Sequence, residues 1–92
     1  MQLNLNVPFK LLSNDGPIPT KTVGAILAEH LVNQAKGDVL KFYGWGIKLT
    51  ANEPLEIDES DRQTLKAFVE ASEHMPIIVK AQILQPLLDL KP

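Results

Sequence analysis

His30 and His74 are the only side chains here whose ordinary titration lies near neutral pH, and the chain contains no cysteine. They form no His-x-x-x-His pair, so they specify no zinc site by themselves. His30 falls on the apolar stripe of a helix and reads as a core-edge histidine bonded to a neighbour. His74 sits at a helix break and reads as solvated. The acidic run Glu53, Glu56, Asp58, Glu59 and Asp61 could bind a cation or mimic phosphates. Its spacing misses the calcium-loop pattern, and it reads better as a solvated loop running into a helix start. Ser13, Ser60 and Ser72 lack a Gly-x-Ser-x-Gly setting. Gly44-Trp45-Gly46 lacks the third glycine of a phosphate loop. The expectation is a protein that is not an enzyme, with no catalytic, metal-binding or cofactor-binding residues.

The 92 residues leave room for one domain, and 45% hydrophobic with 22% charged residues is an ordinary globular balance. Nine basic and 11 acidic residues give a net charge of -2, and no two basic residues are adjacent. That is a poor electrostatic footprint for nucleic acid. Absence of cysteine suits a reducing compartment. The start has no basic segment followed by a long apolar run, and no stretch approaches the ~20 apolar residues of a membrane span. These features predict a cytoplasmic protein with no membrane association.

The elements that would position any site follow from periodicity. Leu3, Leu5 and Val7 alternate with polar residues at the strand period, Asp15-Gly16 makes a turn, and Pro17-Ile18-Pro19 reads as a short edge arm. This predicts a β-hairpin over 1–20. Val23, Ile26, Leu27, His30 and Leu31 predict a helix over about 22–36, capped by Thr20 or Thr22 and ended at Lys36-Gly37. Residues 38–52 fit two readings, a helix capped by Asp38 or a strand or hairpin favoured by aromatics and glycines. Asp58 starts a clear helix with Leu65, Phe68 and Val69 inward. Pro76 opens another, which Pro86 bends or ends at about Gln85. The fold class is mainly α (α+β), an N-terminal β-hairpin followed by a small bundle of about four helices over 22–90. The expected core is Ile26, Leu27, Leu31, Leu40, Phe42, Ile47, Leu49, Leu65, Phe68, Val69, Ile78 and Ile83.

Two surfaces emerge as candidates. If Pro86 ends the helix, Leu84, Leu87, Leu88 and Leu90 turn away from the core and form a homo-oligomeric or partner interface. Alternatively, Lys36, Lys41 and Lys48 gather around the aromatic patch Phe42-Tyr43-Trp45, with Trp45 as a stacking platform for a nucleic-acid-binding regulator. The aromatics also read as core.

From Lys41-Phe42-Tyr43-Gly44-Trp45-Gly46-Ile47-Lys48-Leu49 to Pro86, the chain resembles short proteins of tailed bacteriophages and prophages. The other places of resemblance are Asp15-Gly16, the helix from Val23 to Leu31, and the loop Leu55-Glu56-Ile57-Asp58-Glu59-Ser60-Asp61. It implies a helix at 38–51, an accessory or morphogenetic role and no enzyme activity; Gly44 and Gly46 depart from the pattern. The expected function is a non-enzymatic phage-type protein acting by protein–protein contact, as an assembly or virion-associated factor or a regulator. It would work in the host cytoplasm or the virion.

Overall fold

The N-terminal segment meets the backbone donors that open the first helix. Val23 N–H donates to the Val7 carbonyl at 2.8 Å and Gly24 N–H to the Leu5 carbonyl at 2.9 Å. Ala25 N–H donates to Thr22 Oγ1 at 3.0 Å, so three donors that a helix start leaves unmet are all paired. The structure, a computed structural model, describes residues 1–10, 17–34 and 37–90. Its elements in chain order are β1 (Gln2–Leu3), β2 (Pro8–Lys10), β3 (Pro17–Thr22), α1 (Val23–Val32), α2 (Val39–Thr50), β4 (Leu55–Glu56), α3 (Glu59–Ala71) and α4 (Ile77–Leu88).

A short N-terminal hairpin and four helices make the fold mainly α, as the sequence predicts. The hairpin is β2 against β3, antiparallel, with Pro8 opposite Thr22 and Lys10 opposite Pro17. Its turn at Asp15-Gly16 lies outside the described residues. The expected strand over 3–7 is divided: β1 pairs instead with β4, Leu3 opposite Leu55, and Val7 is exposed. The second arm is the longer one, because β3 runs straight into the Thr22 cap of α1.

Residues 38–52 resolve as a helix. The Asp38 side chain accepts from Lys41 N–H, and Asn52 at φ 63° closes the other end, its own N–H donating to the Leu49 carbonyl. Burial decides against the glycine penalty, because Phe42, Trp45, Gly46 and Leu49 form one face against the core. Gly46 is required there: a Cβ would stand 2.5 Å from Val32 Cγ1, so its absence lets α1 and α2 approach. Gly37, at φ +125°, takes a conformation open to glycine alone.

Asp58 and Asp61 form a reciprocal capping box at the start of α3. Pro86 does not end α4. It sits in the last turn, where proline has no N–H to give the Gln82 carbonyl, and the helix runs on to a cap in which Asp89 N–H donates to the Gln85 carbonyl. Ile83 and Leu87, both fully buried, hold that turn against the core.

The core joins Leu3, Leu5 and Phe9 with residues of all four helices, including Leu27, Leu31, Trp45, Leu49, Leu65, Val69 and Ile83. Leu55, Ile57 and Met75 from the connections complete it. Among the described residues no polar or charged side chain is fully buried. Leu40 and Ile47, expected in the core, are exposed at 83% and 53%; they lie on the far side of α2 from Phe42 and Leu49. Ile26, Phe68 and Ile78 pack against the core while remaining partly exposed. The radius of gyration, 12.5 Å, matches the roughly 12 Å of a compact chain this long.

Candidate interaction surface

α2 carries apolar side chains around most of its circumference, and the core uses only one side. The rest of the circumference carries Val39 at the edge of the core side, 73% exposed, with Tyr43, Ile47 and Leu40 further round, and Val32 of α1 is exposed nearby. Val39, Tyr43 and Ile47 recur every four residues, which stacks them in one row along the helix. Gly44 stands beside Tyr43, and a Cβ built there meets nothing within 4 Å. At the N-terminal end of the row is a small depression of about 160 Å³ lined by Leu31, Val32, Gln34, Gly37, Val39, Phe42 and Tyr43. This surface escaped the sequence reading because the period cannot tell which of two apolar sides the core takes.

Charged groups flank the row. Lys41 Nζ lies 2.6 Å from Asp61 Oδ1 and 5.7 Å from the centre of the Trp45 ring. The hydrogen bond to Asp61 raises the Lys41 ammonium above its ordinary value and holds the Asp61 carboxyl below the usual range. Lys48 is exposed, and Lys36 lies outside the described residues. Trp45 is not a stacking platform: it is 8% exposed, with its ring stacked on Phe42 at 5.7 Å between centres. The expected nucleic-acid contact set thus has its tryptophan buried and its Lys41 already paired.

The C-terminal leucines separate as well. Leu87 is fully buried, so it belongs to the core and not to an interface. Leu84 and Leu90 pack partly against the core, and Leu88 remains half exposed. The cause is the helix that persists through Pro86 and returns Leu87 to the stripe of Val79 and Ile83.

Both histidines line one groove of about 990 Å³, together with Glu29, Asn33, Gln34, Phe68, Ala71, Ser72 and Glu73. His30 Nδ1 lies 3.0 Å from the Ile26 carbonyl, which can only accept, so Nδ1 is the donor in this contact. His30 is therefore the neighbour-bonded histidine expected, and His74 is exposed. No sequence signal brings these two together, since they stand on different elements. Among the described residues no three histidine or acidic groups are placed to hold a metal ion, and no helix is long and apolar enough to cross a membrane.

No protein-family model matches the chain, and neither a curated protein nor a solved structure matches it.

Proposed function

We propose that this chain works by contact with protein, without catalysis, and that the contact surface is the outward face of α2. The observation that supports the reading is the row Val39, Tyr43 and Ile47 with Leu40 beside it, left in water by a helix whose other side completes the core. Apolar surface gathered in this way lowers solubility unless something covers it. The resemblance to short phage and prophage proteins supplies a setting: an assembly or virion-associated part, or a regulator, at work in host cytoplasm or virion. Contact through the C-terminal leucines reduces to Leu88, with Leu84 at its edge, which is too sparse to carry the role.

The test is the double variant Leu40→Glu with Ile47→Glu, used beside the wild type as bait in a host lysate, with mass spectrometry of what is captured. The variant keeps its helical circular dichroism and loses the captured protein. Unchanged capture by the folded variant would remove the α2 face from the proposal.

A further inference from the structure

We infer that the α2 face pairs with a second copy of this chain, the two helices antiparallel about a two-fold axis near Tyr43. The inference rests on the reading of that face just given and names its partner.

Spacing is the first ground. Val39, Tyr43 and Ile47 are evenly spaced, so reversing the helix about Tyr43 lays the row on itself. Val39 then meets the second copy's Ile47, Tyr43 meets Tyr43, and each contact occurs twice, as a two-fold interface requires. Fit is the second. The depression beside Val39 lies at one end of the row and the Ile47 side chain projects at the other. An antiparallel copy brings each Ile47 to the other's depression. Leu40, the most exposed side chain of the set, comes over the second copy's Gly44, where the missing Cβ leaves space that nothing in its own chain fills.

Charge does not oppose the arrangement. No lysine, arginine, histidine, aspartate or glutamate stands in the row itself, and Lys41 on its flank is bound to Asp61 of its own chain. Area sets the strength. The exposed parts of Val32, Val39, Leu40, Tyr43 and Ile47 come to roughly 500 Å² per copy, hence about 1,000 Å² across a pair, the threshold of a specific interface. The pair is therefore weak and forms with rising concentration.

The chain has no cysteine, so Tyr43→Cys introduces a single thiol. Facing positions on helices packed 8–10 Å apart bring Cα atoms to roughly 4–6 Å, within disulfide reach. Under mild oxidation Tyr43→Cys is expected to form a covalent dimer, and Glu73→Cys, in the groove lined by the histidines, is expected to form none at the same concentration. Sedimentation equilibrium of the wild type should show mass rising toward twice the monomer value. Leu40→Glu and Gly44→Leu should stay monomeric with unchanged circular dichroism. A wild type that is monomeric at every concentration overturns the inference, as does equal crosslinking of the two cysteine variants. A monomeric wild type that still captures another protein through Leu40 and Ile47 would leave the α2 reading standing and remove only the second copy. A dimer that persists in the folded Leu40→Glu, Ile47→Glu double variant would place the self-contact elsewhere and overturn the inference.

Discussion

Lys41 Nζ and Asp61 Oδ1, 2.6 Å apart, tie the first turn of α2 to the first turn of α3, and the same carboxylate accepts the Asp58 N–H in the capping box. The Lys41 hydrogen bond is the main cause that lowers the Asp61 carboxyl, with partial burial opposing it. Glu59 is lowered too, first by Gln63 and then by Arg62. A carboxyl lowered by folding adds stability that is fully present above its unfolded value, near pH 4, and is lost as pH falls through the lower folded value. Urea midpoints should therefore drop as pH falls below about 4. Asp61→Asn should show a shallower acid decline, and added salt should reduce the difference because the pair is near the surface.

Two glycines on α2 with one residue between them should respond in opposite directions. Gly44→Ala meets nothing within 4 Å and removes a helix-interior glycine, so it should stabilise the monomer by about 0.5–1 kcal/mol. Gly46→Ala sets a methyl 2.5 Å from Val32 Cγ1, a stiff side chain that cannot swing aside. The resulting strain, typically about 1–3 kcal/mol, should exceed the helix gain and lower the midpoint. Thermal unfolding at low protein concentration reads both.

At the C-terminus, adjacent leucines should differ sharply. Leu87→Ala empties a fully buried site and should cost about 3 kcal/mol. Leu88→Ala, half exposed, should cost under about 0.5 kcal/mol. Equal losses in urea titrations would mean that α4 does not continue through Pro86 as described.

Trp45 is the chain's one tryptophan, and its burial against Phe42 makes it a direct reporter. Its fluorescence should be blue-shifted, poorly quenched by iodide, and unmoved by added single-stranded DNA. A DNA-dependent shift that weakens with salt would revive the nucleic-acid reading.

Local signals made much of the fold legible. Asp58 marks one helix start outright, Thr20 or Thr22 marks a second, Asp38 marks a third only in one of two readings, and the stripe Val23, Leu27, Leu31 marks a core-facing side. What could not be read was orientation where both sides of an element are apolar. Val39, Leu40, Phe42, Tyr43, Trp45, Ile47 and Leu49 spread around most of α2, so periodicity alone does not show that Leu40 and Ile47 face water and Trp45 faces the core. Pairing between distant segments was equally silent. Nothing near Gln2 names Glu56 as its partner, and proline's usual effect misplaced Leu87 because two buried neighbours in the turn outweigh one lost hydrogen bond.

The N-terminal segment is completed by residues far along the chain. Ile57 N–H donates to the Met1 carbonyl, and the Gln82 side chain meets both the N–H and the carbonyl of Lys10, at 3.0 and 2.6 Å. During synthesis, β1 therefore waits for β4, and Lys10 waits until α4 has emerged. Leu3, Leu5 and Phe9 must spend that interval without their final cover, while α1 and α2, close in sequence, can already pair. These strands are therefore among the last elements of the fold to be secured, because the partner that fixes Lys10 lies 72 residues further along the chain.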